Sequence, residues 1–542
     1  MTVELEGLIY TSTMPLKLHS PATHFATLLL ACALAVTAHA ADLRIGMGAD
    51  VTSIDPHQTN IAPNNAVAWH VFDALTHVDA DTRLVPGLAT SWRAVDGTTW
   101  EFKLRRGVKF HDGSDFTAED VAFSLDRAVE LGNKGGQFAN FVRPIVAKQI
   151  VDPYTIRFKT ATPYAMLPYD LNSIYIVSKK AAAGAATEDF NSGKAASGTG
   201  PFKLAAFRRG DRVELLRNDA YWGDAGGKSA AWDKVTLRIL PADPARTAAL
   251  LSGDVDAIEM IPTADAARIK SNAAFRLEQK VSWRTIFFHL DQYRDNPPGV
   301  TDKAGKPLAK NPFKDQRVRE AIAMAINRQA VVERAMEGFA LPAGNLVAPP
   351  VFGHNATVKP AAFDPEAAKK LLAAAGYPDG FSIVLAAPNN RYVNDDQVAQ
   401  VIAQMLARAG IAVSRVETHP AATYFTKARN GDFGFAMLGW GSFGADLALR
   451  TLVASVNADK GYGTWNWGRY SNAKVDLLVE QALASVDPAK REAAAREAMG
   501  IAMKDYAVVP VHHQIATWAM KKGLAYVPRT DEYTFAQHFR PQ

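Results

Sequence analysis

Apolar residues along this chain switch repeatedly between the three- and four-residue intervals of a helix and the alternation of a half-buried strand. In TAEDVAFSLDRAV, Thr117 to Val129, Thr117 is placed to cap a helix. Asp120 stands at the third helical position, an acidic first turn suited to the helix dipole. In DPEAAKKLLAAAGYPDG the pattern predicts a helix capped by Asp364, begun by Pro365 and stopped at Gly376 ahead of Pro378. The strand FSIVLAA follows it, and DDQVAQVIAQMLARAGIAVSRVET reads as a helix stopped at Gly410 with a strand behind it. Two more helices, across AKVDLLVEQALA and PAKREAAAREAMGIAMKD, lead to the buried-strand candidate YAVVPVHH. Such alternation predicts an α/β protein. ALLSGDVDAIEM from Ala249 and KARNGDFGFAMLGW from Lys427 echo each other as helix end, Gly-Asp turn and strand. Either the two parts of the chain are built alike, or this is the common helix–glycine–strand joint.

The N-terminus departs from this pattern. From Phe25 to Ala38 the residues FATLLLACALAVTA form an apolar run, followed by a small-residue Ala38-x-Ala40 pattern and polar DLRIG. This predicts a cleaved export signal over residues 1–40 and an exported mature protein. The run is too short for a membrane-spanning helix, which needs about 20 apolar residues. Glu4 and Glu6 stand where a signal favours positive charge, so translation is expected to begin at Met14, which brings in Lys17. The single cysteine, Cys32, lies inside the run. Cleavage after Ala40 removes it, along with disulfides and cysteine chemistry. The alternative is a lipoprotein anchored at Cys32 within LLAC.

Composition narrows the classes further. With 542 residues, 48% of them hydrophobic and 21% charged, the chain is ordinary globular material. Its 60 basic and 55 acidic residues show no basic run longer than pairs such as Arg105-Arg106 and Arg208-Arg209, which argues against a nucleic-acid partner. Enzyme motifs fail on inspection. GDAGGKS, Gly223 to Ser229, misses a phosphate loop by one position because Trp222 stands where glycine is needed. Ser442 has Trp440 in place of the first glycine of a nucleophile elbow. His512 and His513 are adjacent on a predicted strand and point to opposite faces, so they make no metal pair, and one is expected to be packed. No cofactor, metal site or catalytic group is predicted.

One segment is more specific. PGLATSWRAVDGTTWEFKLRRGVKFHDGSDFTAEDVAFSLDR, Pro86 to Arg127, reads as strand, turn, strand, basic turn and capped helix, with Trp92, Trp100, Phe102 and Leu104 as alternating apolar positions. It resembles the family 5 extracellular solute-binding proteins, the dipeptide, oligopeptide and nickel binders of bacterial ABC importers. GTGPFKL at Gly198, RNDAYWG at Arg217, LLSGDVDAIEMIP at Leu250, VREAIAMAINRQAVV at Val318 and RYSNAKVDLLVEQA at Arg469 extend the likeness. The resemblance implies a type II periplasmic-binding fold, two lobes joined by a hinge and closing on ligand. Residues 41–77, 196–284 and 508–542 would form lobe I, 78–195 an inserted subdomain of it, and 285–507 lobe II. The implied partners are a small peptide or peptide-like ligand and an inner-membrane permease pair with its ATPases, served by a monomer.

In dipeptide binders of this family the segment matching GWGSFGAD lines the cleft, and an aspartate three residues after the tryptophan holds the ligand ammonium. Phe443 occupies that place here, with Asp446 three residues on. The family's carboxylate anchor is an arginine in a strand-to-helix loop, which PNNRYVNDDQ places at Arg391. A planar guanidinium grips a carboxylate in two parallel hydrogen bonds. Other readings stay open: Arg391 paired with Asp395 or Asp396, Trp440 and Phe443 as core aromatics, and Asp446 capping the following helix. Asn64, Asn65, Tyr392 and Trp465 complete the ligand-binding candidates. The implied ligand has a carboxylate and an apolar or blocked far end, such as an N-blocked or γ-linked peptide or a glutathione-like compound. A nickel or metal-chelate binder is the alternative, with His70, His289, His354 and His419 to test it. A periplasmic chaperone or receptor module is a third.

Overall fold

A computed structural model describes residues 41–224 and 231–542. The expected signal with Met14 and Cys32, and Ala225 to Ser229 of the GDAGGKS stretch, lie outside the described residues. The predicted elements form where local sequence dictates them. Thr117 accepts a hydrogen bond from the Glu119 amide at 3.3 Å, and Asp120 accepts one from the Thr117 amide at 3.0 Å, capping the helix Ala118–Gly132. Asp364 accepts from the Ala367 amide at 2.8 Å, Pro365 opens the helix Pro365–Ala374, and Gly376 takes φ +94° beyond its end. The helix Asp395–Arg408 buries Val398, Ala399, Ile402 and Leu406 at helical spacing against the sheet.

Among the described residues the main sheet has 12 strands. Two long antiparallel strands, Phe275–Leu290 and Val509–Lys521, run through its centre. Strands from residues 42–47 and 202–259 flank Val509–Lys521 on one side. Strands from residues 300–301 and 381–440 flank Phe275–Leu290 on the other. Each flank contains a parallel unit: Asp42–Met47 lies parallel to Lys234–Ile239 and Ala257–Glu259, and Phe381–Pro388 parallel to Ile411–His419 and Phe435–Trp440. The echoed segments occupy matching places. Gly253 (φ +85°) and Gly431 (φ +80°) each end a helix, and each is followed by the strand that joins its flank to the central pair.

A separate four-stranded antiparallel sheet comes from residues 89–160. Trp92 faces Phe102 across it, and Trp100, Phe102 and Leu104 are buried. Arg127, on the adjoining helix, donates to both carboxylate oxygens of Asp55 at 2.8 and 2.7 Å. This buried ion pair ties the small sheet's helix to the start of the chain.

The central pair is interrupted at one place. Its register holds from Phe275 opposite Lys521 to Val281 opposite Ile515, then resumes at Thr285 opposite His513. Three residues, Ser282 to Arg284, therefore stand against one. Such a bulge bends its strand and re-aims the side chains within it. The freed residues bond instead to the C-terminal segment: the Trp283 amide donates to Thr530 O at 2.9 Å, Ser282 Oγ to Glu532 at 2.6 Å, and Arg284 grips the Glu532 carboxylate at 2.6 Å.

Candidate functional site

The bulge projects Trp283 into a cavity of about 290 Å3 bounded by distant parts of the chain. Asn60, Asn65 and Trp69 come from the first described helix and its approach, Phe138, Phe141, Tyr169, Asp170, Asn172, Ser173 and Tyr175 from beside the small sheet, and Tyr533 from the C-terminal segment. The rest of the wall is Trp440 to Phe443 together with Leu447, Arg450 and Thr451. The last three recur at helical spacing on Ala445–Leu452, whose other face buries Ala448, Leu449 and Leu452.

The stretch MLGWGSFGAD builds its wall through its glycines. A Cβ on Gly439 would come within 2.6 Å of the Tyr392 ring, and one on Gly441 within 2.5 Å of Trp283 Nε1. Glycine on both sides of Trp440 thus lets Tyr392 and Trp283 lie directly on the backbone. Phe443 meets Trp283 edge-on, with ring centroids 4.9 Å apart, and reaches Tyr169 at 6.5 Å. An aromatic wall of this kind offers apolar area and ring faces to a ligand.

Four of the sequence candidates, Trp440, Phe443, Asn65 and, one layer back, Trp465, gather here. Asn65 donates to the Tyr533 hydroxyl at 3.4 Å and to Asn60 at 2.8 Å. Trp465 does not line the cavity; it packs 5.3 Å behind Trp440 and 5.6 Å from Trp467. Tyr392 also sits behind the wall, where its hydroxyl donates to Gly439 O at 3.1 Å. Asn64 is buried in a local bond, accepting from the Thr52 amide at 2.9 Å and donating to its hydroxyl at 3.0 Å, so it has no reach into the cavity.

Asp446 is placed differently from either expectation. Its side chain is 0% exposed and accepts from Arg491 Nε at 2.5 Å, with Arg491 8% exposed. That carboxylate is engaged inside the protein by Arg491 and does not line the cavity. Gly444, not Asp446, is the N-cap; Asp446 lies one residue further in and accepts from the Leu447 amide at 2.9 Å. Arg491 in turn lies over Phe352 at 4.4 Å and Tyr169 at 4.9 Å. The pair fixes the helix that carries Leu447 and Arg450.

Arg391 is also outside the cavity wall. The backbone amides of Arg391 and Tyr392 donate to Asp395 at 2.9 and 3.0 Å, so Asp395 serves the loop rather than the guanidinium. The guanidinium lies 5.3 Å over the Tyr392 ring, and no ion pair involves it among the described residues.

The charges that do reach the cavity are Asp170 and Arg450. The Tyr164 hydroxyl links them, donating to Asp170 Oδ2 at 2.5 Å and accepting from Arg450 Nη1 at 3.4 Å. Burial pushes the Asp170 carboxyl up to about 6, against the opposing pull of Arg450 and the Tyr164 hydrogen bond. Burial works against the Arg450 charge, yet Tyr164 and Asp170 together raise its pKa above the ordinary arginine value. Among the described residues, three buried polar atoms of the wall have no hydrogen-bond partner: Arg450 Nε, Asn172 Oδ1 and Trp283 Nε1. A native protein rarely leaves such groups unpaired except where something else is meant to meet them.

The histidines are dispersed in packed or locally bonded places. His70 bonds Ala66 O at 2.8 Å and the Ala536 amide at 2.9 Å, His354 bonds Val347 O at 2.9 Å, and His419 pairs with Glu417 at 2.8 Å. His289, His512 and His513 are buried, and burial holds each down to about 3. Among the described residues no group of three or more His, Cys, Asp or Glu side chains is arranged to hold a metal ion. No described helix is long and apolar enough to cross a membrane.

With this geometry in view, the comparisons with known proteins are direct. Residues 83–457 match the profile described as "Bacterial extracellular solute-binding proteins, family 5 Middle", which makes the chain an extracellular solute-binding protein. It belongs to family 5 of that class. The glutathione-binding protein GsiB of Shigella dysenteriae serotype 1 is 31% identical over 506 residues, 92% of this chain and 93% of that protein. The periplasmic binding protein DppA from Helicobacter pylori, in complex with the peptide STSA, superposes with a TM-score of 0.75 at 26% identity, covering 92% of this chain and 98% of that one. AgaA from A. tumefacien R10, in complex with agropinic acid, gives 0.73 at 26%, covering 92% and 99%. The fold is the type II periplasmic-binding fold, here a mixed α/β structure around one large sheet.

Proposed function

We propose that this chain is the periplasmic binding component of an ABC importer and that its cargo is a carboxylated, peptide-like molecule held in the aromatic cavity. The observation that carries this reading is the composition of the cavity wall. Segments near residues 65, 170, 283, 443 and 533 converge there. A ligand touching all of them is held only when they are brought together, so binding favours the closed arrangement. In these terms residues 41–77, 196–284 and 508–542 form one lobe, 78–195 its inserted subdomain and 285–507 the other lobe. The bulged pair of central strands serves as the hinge. Phe443 gives the wall an aromatic edge where dipeptide binders of the family place an aspartate, which turns specificity away from ordinary free-amine dipeptides. The names of GsiB and of the AgaA complex, one a glutathione binder and the other bound to agropinic acid, support a modified, acidic cargo.

The test is native mass spectrometry on the exported protein, followed by denaturing release of whatever it carries. One acidic, peptide-like molecule per chain is the expected result. A metal complex, or a chain that neither carries nor takes up acidic peptides, would overturn the reading.

A further inference from the structure

Resting on that reading of the cavity, we propose that Asp170 and Arg450 form a single zwitterion-binding pole, which holds an ammonium and a carboxylate borne on the same carbon. The class of ligand this selects is the γ-linked peptide, whose terminal glutamyl residue keeps both groups free on its α-carbon. An α-linked peptide separates them to its two ends.

The geometry supports this assignment. Asp170 and Arg450 come from distant segments of the chain that line the cavity, and one phenol, Tyr164, touches both, at 2.5 and 3.4 Å. Their charges are therefore neighbours. Each also keeps unused bonding capacity. Asp170, 7% exposed, has Oδ1 without a donor among the described residues, and Asn172, 4% exposed, presents an unpartnered Oδ1 on the turn beside it. Together they offer acceptors to the donors of an ammonium. Arg450 Nε is an unpartnered donor suited to the carboxylate, and charge-assisted bonds of this type are the strong ones. Trp283 Nε1, unpartnered across the cavity, is left for a peptide carbonyl further along the ligand. Arg391, the cation expected to take the carboxylate, does not line this cavity. Because the pole is divided between two segments far apart in the chain, the head group also bridges them.

The discriminating experiment is calorimetric titration of the exported protein with γ-Glu-Gly and with its isomer α-Glu-Gly. The γ-isomer should bind at least tenfold more tightly. At pH 7, Asp170→Asn, which preserves shape and the bond to Tyr164, should cost the γ-isomer at least tenfold with a ligand-free melting temperature no lower than that of the wild type. Arg450→Gln should cost the γ-isomer a similar factor. Equal or stronger binding of α-Glu-Gly, binding of neither isomer, or full γ-Glu-Gly affinity in Asp170→Asn would overturn the assignment. If the two variants still carry an acidic cargo from the cell, only the pole is wrong. If the wild-type chain carries none, the cavity reading falls with it.

Discussion

Replacing Asp446 by alanine separates a structural role from a ligand-binding one. In the native protein its carboxylate is fully buried and bonded to Arg491 Nε at 2.5 Å. Arg491 is held in place by the rings of Phe352 and Tyr169, so it cannot follow its lost partner into solvent without giving up those contacts. Breaking a buried ion pair from one side leaves an uncompensated charge and costs about 3–5 kcal/mol. Unfolding entropy of about 2 cal/mol/K per residue, over a unit of about 500 residues, sums to roughly 1 kcal/mol/K. The expected loss in melting temperature is therefore about 3–5 °C, read by differential scanning calorimetry without ligand. Asp446→Ala combined with Arg491→Met should recover much of it, because an apolar pair of similar volume replaces the ions without stranding a charge. Affinity per folded molecule should stay within a few-fold of wild type. A variant that melts as wild type but no longer binds would refute this reasoning and return Asp446 to the ligand.

Two further outcomes follow from the same geometry. Burial raises the Asp170 carboxyl from an ordinary 3.8 to about 6 in the folded protein, with Tyr164 and Arg450 the groups facing it. Its contribution to the stability of the free protein is thus fully present below about pH 4 and lost as pH rises through about 6. Affinity for γ-Glu-Gly runs the other way and should fall about fivefold between pH 6 and 5, as the ionised fraction of Asp170 drops from about one half to about one tenth. Titration calorimetry at several pH values checks this, and a pH-independent affinity would count against Asp170. Arg391→Ala should change γ-Glu-Gly affinity by less than about threefold in the same calorimeter; a tenfold loss would mean that the guanidinium over Tyr392 reaches the ligand after all.

The parts legible in the sequence were those decided by near neighbours. Thr117 and Asp364 cap helices because the amides they satisfy lie within three residues, and Gly376, Gly410 and Gly431 mark helix ends through their own left-handed backbones. Trp440 and Phe443 could be placed by resemblance because the glycines around them fix a local path. Long-range partners were another matter. Nothing near Asp446 announces Arg491, which lies 45 residues on. Asp170 meets Arg450 through Tyr164, which lies 286 residues before that arginine. Trp283 sits in the mixed-polarity run FRLEQKVSWRTIFFHL, where only the slip of register against the C-terminal strand decides which way it points. The one signal that was available for Arg450 is its helical spacing from Leu447, on the helix just after the cleft segment.

The central strand pair also sets an order of assembly. Val509–Lys521 is the last strand of the large sheet to leave the ribosome, yet it joins the flank begun at Asp42 to the flank that ends at Trp440. Until it arrives, Ala257–Glu259 and Phe275–Leu290 each present an unpaired edge toward the place it will fill. A nascent chain can collapse locally but cannot lock its two flanks into one sheet, and any truncation before Val509 leaves a pair of sticky half-sheets rather than a smaller binding protein.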